Sequence, residues 1–183
     1  LPDRFEMQLN LIKKLDVDVL SGNIIEEAQG IQKIKTVPCG YITKKSLTEI
    51  IRLIKKKEIK SVEVTTSFID NIKNDKKLNS FITSCNEQAL EKAKSFDKNP
   101  KLDQLLPGVP IAVKDLFCTN GTKTTAGSKM LENFIPNYES TITNNLWNEG
   151  AFLLGKLNCD EYAMGSSNET SYFGNVMNPI AEN

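Results

Sequence analysis

An α/β fold is predicted by three features of this sequence. Apolar residues recur at helical spacing between positions 46 and 96. Two short apolar runs, Val109 to Lys114 and Ala151 to Lys156, each end in a lysine, and a capped helical segment lies between them. Strand, helix and strand in that order make a βαβ unit. The two strands are therefore expected side by side and parallel, joined by a right-handed crossover.

The individual elements follow from local signals. In residues 1–40, Phe5, Leu9, Ile12 and Leu15 recur at helical spacing, as do Val17, Leu20, Ile24 and Ile25, until Pro38-Cys39-Gly40 breaks the pattern. This stretch is read as an N-terminal extension carrying no chemistry. Ser46-Leu47-Thr48-Glu49 is a capping box for a helix over 46–58, with Leu47, Ile50, Ile51 and Ile54 on its apolar face. Ser61 opens a second helix through Lys73, and a third spans Asn86 to Phe96. After strand 109–114 comes a Gly-, Ser- and Thr-rich loop, Asn120 to Ser128, then a short helix from Lys129 to Asn133. Ser140 caps a helix ended by Gly150, strand 151–156 follows, and 163–171 is a loop of small polar residues.

Bulk properties exclude several functions. The 183 residues carry 23 basic and 23 acidic side chains and no histidine, so there is no basic field to hold nucleic acid. Cys39, Cys85, Cys118 and Cys159 are scattered without C-x-x-C spacing, which argues against a metal knuckle or redox pair and for reduced thiols. No apolar run reaches membrane-spanning length, and the acidic residues among the first thirty do not fit a targeting peptide.

The chemistry concentrates where the two strands end. Lys114 precedes the Gly/Ser/Thr loop, and Lys156 precedes Asn158, Asp160 and Glu161. Ligands of open α/β sheets sit at that carboxyl edge. Small residues, hydroxyls and backbone amides there suit a polar acyl group and its oxyanion. A lysine works as a general base only when neutral. Lowering its reference pKa of about 10.4 to about 7 takes about 4–5 kcal/mol of differential solvation, which burial at a strand end supplies. Its natural partner is a serine hydroxyl. The alternative is an ion-pair lysine at a strand end.

Three separated blocks now point to a family. Gly108-Val-Pro-Ile-Ala-Val-Lys-Asp115, Gly121-Thr-Lys-Thr-Thr-Ala-Gly-Ser128 and Gly150 to Ser167 resemble the amidase-signature family in order and spacing. The resemblance runs from about Ile42 to Pro179. Within the family, Thr124 to Ser128 and Ala163 to Ser167 resemble the glutaminase subunits that serve tRNA-dependent amidotransferases; Leu157 and Cys159 depart from the usual Thr and Met.

The resemblance implies a Ser–cis-Ser–Lys mechanism with Lys114 as its lysine. It implies a glutamine pocket lined by Met164 and Gly165. Ser166 and Ser128 are candidate pocket hydroxyls, with loop capping as the favoured alternative for both. Lys156 and Asp160 match family positions with no catalytic role to inherit, so structural support is expected of them. No metal or cofactor is expected in this subunit; ATP and Mg²⁺ are used by a partner. The implied partners are the B- and C-type subunits, glutamine as substrate and tRNA through the complex, without a membrane. An intracellular setting follows, either a bacterial cytoplasm or a mitochondrial or plastid matrix. Residues 41–183 correspond to the N-terminal part of the amidase domain, the start of its sheet, incomplete at the C-terminus. Both family serines fall beyond Asn183, so the chain by itself is expected to be inactive. A stand-alone amidase of the same family and a non-catalytic interaction piece are the alternatives.

Overall fold

The computed structural model of the chain describes residues 39–74 and 76–178. The helical stripes read in the extension lie outside the described residues. Cys39 and Gly40, read as a break, open the short helix α1 (Cys39–Ile42). There follow α2 (Leu47–Lys55), α3 (Ser61–Asn74), β1 (Phe81–Ser84), α4 (Asn86–Lys98), β2 (Pro110–Lys114), α5 (Thr141–Asn148) and β3 (Phe152–Leu157).

The local start signals work as read. The Ser46 hydroxyl accepts the Glu49 amide at 3.3 Å, and the Glu49 carboxylate accepts the Ser46 amide at 2.8 Å. The two bonds satisfy donors that a helix start leaves unpaired. Lys57, at φ 59°, turns the chain out of α2. The buried face of α2 is Ile50, Leu53 and Ile54, whereas Leu47 is turned outward. The start of α3 is capped from a distance, its Ser61 and Val62 amides donating to the Asp97 carboxylate at 2.9 and 3.0 Å. Ser140 caps α5 by accepting the Thr143 amide, and Gly150, at φ +93°, ends it.

The sheet has three strands in the order β1-β3-β2. β2 and β3 pair in parallel across the α5 connection, as the βαβ reading requires, and Lys114 stands opposite Leu157. β1 lies in the stretch between α3 and α4 to which the sequence analysis assigns no element. It adds to the free edge of β3 as an antiparallel strand, so the sheet is mixed.

One face of this sheet is covered by α3 and α4, which pack on each other, α4 lying on β3. Ala89 and Ala93, four residues apart, bring α4 close to Phe152 and Leu154, while Ile69 of α3 completes that cluster. A second cluster joins Ile42, Ile50, Leu53, Ile54 and Val64 to Val109 at the start of β2. Both clusters hold the strands from the helical side and leave their carboxyl ends to the loops. Among the described residues, no helix is long and apolar enough to cross a membrane.

Where β1 meets β3 the approach is tight. A Cβ on Gly155 would lie 2.6 Å from the Thr83 carbonyl oxygen and 2.8 Å from the Phe81 ring. Gly155→Ala is expected to cost about 1–3 kcal/mol, because backbone rather than a flexible side chain must yield. Urea unfolding measures it; an unchanged midpoint would show that β1 moves aside freely.

Candidate active site

The two lysines at the strand ends have opposite environments. Lys114, the last residue of β2, has an exposed side chain. Lys156 of β3 is fully buried. The expectation that strand-end burial would desolvate Lys114 is therefore corrected: among the described residues the buried lysine is Lys156. The cause is register. Val113 turns inward and Lys114 outward by strand alternation, while Lys156 lies one residue inside the end of β3, in its buried run.

Lys156 is fully engaged. Its ammonium donates to the Phe117 carbonyl at 2.8 Å and the Thr124 hydroxyl at 2.7 Å, and it pairs with Asp115 at 3.2 Å. The other carboxylate oxygen of Asp115 accepts the Thr125 amide at 2.8 Å and the Thr125 hydroxyl at 2.5 Å. Asp115 is also held through its backbone, its amide donating to Leu157 and its carbonyl accepting from Ala126. Burial pushes the Lys156 ammonium below the ordinary lysine value, and the Asp115 charge opposes that shift. The network fixes the residue next to Lys114 to both strands and to the loop after β2.

That loop is joined to the loop after β3. The Tyr162 amide donates to Ala126 and the Tyr172 amide to Gly127, each at 2.8 Å. Gly127 is required here: its φ is +68°, and a Cβ would lie 2.5 Å from the Cys159 carbonyl oxygen. Ser128 is buried. Its hydroxyl donates to Glu161 at 2.5 Å, accepts the Met130 amide, and caps the short turn Lys129–Leu131.

The loop from 160 to 170 closes on the Asp160 side chain. One carboxylate oxygen accepts the Asn168 amide at 2.9 Å; the other accepts the Thr170 amide at 3.1 Å and the Thr170 hydroxyl at 2.9 Å. The Thr170 and Asn168 amides hold the Asp160 carboxyl below the ordinary aspartate value.

An open cleft of about 480 Å³ lies at this edge, lined by Lys114, Asn158 to Asp160, Gly165 to Asn168 and Val176 to Asn178. The structure thus brings Lys114, Gly165 and Ser166 to one cleft. Met164 is 80 % exposed and is not part of the lining. Ser128 is not part of it either, being tied to Glu161 behind the loop. The sequence reading did not single out Ser167 and Asn168; their adjacency to Gly165-Ser166 was the available signal. Cys159 also lines the cleft, but burial pushes its thiol up, which disfavours a thiolate nucleophile. A larger groove of about 980 Å³ runs past Lys92, Phe96 and Trp147 and does not include Lys114. Among the described residues no group of three or more His, Cys, Asp or Glu could hold a metal ion.

Comparison with known proteins identifies the family of the chain. The sequence model of the Amidase family matches residues 63–183. The A-type subunit of glutamyl-tRNA(Gln) amidotransferase from Pelagibacter ubique is 65 % identical over 139 residues, covering 76 % of this chain and 29 % of that protein. Its namesake from Sphingopyxis alaskensis is 53 % identical, covering 69 % and 26 %. This chain therefore spans less than a third of the length of the curated relatives it matches. Among solved structures, a bacterial aryl acylamidase of the amidase-signature enzymes superimposes with a TM-score of 0.67 at 31 % identity, covering 74 % of this chain and 29 % of the other. The A-type subunit of glutamyl-tRNA(Gln) amidotransferase from Thermotoga maritima superimposes with a TM-score of 0.61 at 28 % identity, covering 75 % and 28 %. With two thirds of its residues matched by the family model, the chain belongs to the amidase family.

Proposed function

We propose that this chain is part of the glutaminase subunit of a glutamyl-tRNA(Gln) amidotransferase, and that Lys114 is its general base. The observation that carries the reading is the position of Lys114, at the carboxyl end of a parallel strand and on the rim of a polar cleft, in a chain 65 % identical to an A-type subunit of that enzyme. In the mechanism the family resemblance implies, neutral Lys114 takes a proton from the cis-serine, which takes one from the nucleophilic serine. The serine oxygen attacks the carboxamide carbon of glutamine. The amide C–N bond breaks, the nitrogen regains a proton from the same relay and leaves as ammonia, and water then cleaves the acyl-enzyme. In this reading Gly165 and Ser166 line the amide pocket.

The ammonia passes to partner subunits of the B and C types, where ATP and Mg²⁺ activate glutamyl-tRNA(Gln). The glutaminase subunit itself uses no metal or cofactor and meets tRNA through the complex. The setting is intracellular, a bacterial cytoplasm or an organelle matrix. The likeness to an aryl acylamidase supports a second reading, a stand-alone amidase; the much higher sequence identity to the Pelagibacter amidotransferase protein weighs against it.

The test uses the full-length protein assembled with its partner subunits. Saturable ammonia release from glutamine, coupled to formation of Gln-tRNA(Gln), is expected. Turnover of a simple aliphatic or aryl amide with none on glutamine would establish the second reading.

A further inference from the structure

We infer that Asp160 is a positioning residue that sets affinity for the substrate amide, by holding the cleft wall formed by Gly165 to Asn168. This rests on the cleft being the amide site.

Four observations carry it. Asp160 is 6 % exposed, yet no cation pairs with it among the described residues; its partners are the Asn168 amide, the Thr170 amide and the Thr170 hydroxyl. A buried carboxylate satisfied by backbone donors fixes the path of the backbone that supplies them. Those donors lie eight and ten residues further along the chain, so the intervening segment is held as a closed loop. Thr170 extends the closure, its hydroxyl oxygen accepting the Glu161 amide at 3.1 Å.

The fourth observation is Gly165. A Cβ there would lie 2.5 Å from one Asp160 carboxylate oxygen and 2.8 Å from the other. Unlike Gly127, Gly165 has no left-handed φ, so conformation does not demand a glycine at this position. The Asp160 carboxylate demands it. Gly165 rests on that carboxylate and lines the cleft together with Asp160 itself, Ser166, Ser167 and Asn168. Asp160 thereby holds this wall in the cleft that Lys114, at the end of the neighbouring parallel strand, also lines. A wall made of backbone cannot adjust by rotamer, so a small shift of the loop is felt directly by a bound amide.

The two effects separate kinetically. A residue that places the binding wall without touching the reacting atoms acts on KM; one that acts in the proton transfers lowers kcat. Asp160→Asn keeps the volume but replaces one acceptor by an NH₂ that faces an amide N–H.

In the full-length protein with its partner subunits, Asp160→Asn is expected to raise the KM for glutamine roughly 10–100-fold, with kcat within about threefold of wild type. Hydrogen exchange in peptides covering 164–170 is expected to accelerate. Thr170→Val, which removes one of the three donors, is expected to move KM in the same direction by about 2–5-fold. It decides the matter should Asp160→Asn fail to assemble. An unchanged KM in a variant whose loop exchanges faster would overturn the proposal, as would a fall in kcat at unchanged KM. Unaltered exchange across 164–170 would show that Asp160 does not hold the loop. If the wild-type enzyme shows no glutaminase activity, the functional reading fails instead, and the exchange measurement still decides whether Asp160 holds the wall.

Discussion

Replacing Lys114 by alanine in the full-length protein is expected to lower glutamine-dependent ammonia release by roughly 10²–10⁴-fold, the usual worth of a positioned general base. Lys114→Arg is expected to be nearly as poor. A guanidinium keeps the positive charge and the length but cannot be deprotonated at working pH, so it cannot accept the serine proton. The pair of variants separates two roles that alanine alone leaves merged, proton acceptor and fixed cation. The structure makes the comparison clean. Lys114 is exposed at the end of β2, and its substitution disturbs neither the helical clusters nor the buried network of Lys156 and Asp115. Thermal melts of both variants are therefore expected to match wild type. Turnover at saturating glutamine is the measurement. A folded Lys114→Arg enzyme with near-normal turnover would show that only charge is needed, and Lys114 would not be the base.

What the sequence made legible was whatever short-range chemistry specifies. The box at Ser46 and Glu49, the Ser140 cap and the stop at Gly150 each depend on a few adjacent residues, and the parallel pairing of the two apolar runs follows from the order strand, helix, strand. β1 escaped because Phe81 to Ser84 is too short for a period to show, and its partner strand lies some seventy residues away. The two strand ends looked alike, each an apolar run closing on a lysine. Which lysine is buried is decided by the side each residue takes at the strand end, and by Asp115, Phe117 and Thr124 converging on one of them. Ser128 stood between a pocket hydroxyl and a loop cap, and it caps the turn Lys129–Leu131. Its bond to Glu161, 33 residues on, ties the two loops together and has no local signature. Asp160 was legible only as a strand-end carboxylate, since its partners Asn168 and Thr170 are reached by loop closure rather than by any periodic spacing.

The largest stability effect is expected at the other lysine. Lys156→Met keeps most of the side-chain volume but leaves the buried Asp115 carboxylate without its cation, and the Phe117 carbonyl and Thr124 hydroxyl without their donor. Breaking a buried pair from one side costs about 3–5 kcal/mol, chiefly because the surviving charge is stranded. Asp115→Asn combined with Lys156→Met removes that charge while retaining an acceptor for the Thr125 amide. The double variant is therefore expected to be more stable than Lys156→Met alone, a coupling that denaturant titration of the four proteins measures directly. The pH dependence has a defined sign. Burial places the native pKa of Lys156 below the ordinary lysine value, so between that lowered pKa and about 10.4 the unfolded chain binds the proton more tightly. The contribution of Lys156 to stability accordingly rises with pH across this window. The gap between wild type and Lys156→Met should widen with rising pH across the window and level off at its smallest value below it. A constant gap would place the native pKa of Lys156 at its unfolded value, with the Asp115 attraction matching the cost of burial. Equal stability of wild type and Lys156→Met would show that the pair contributes nothing net, and that the loop from 115 to 128 is held by Thr125, Ala126 and Gly127 alone.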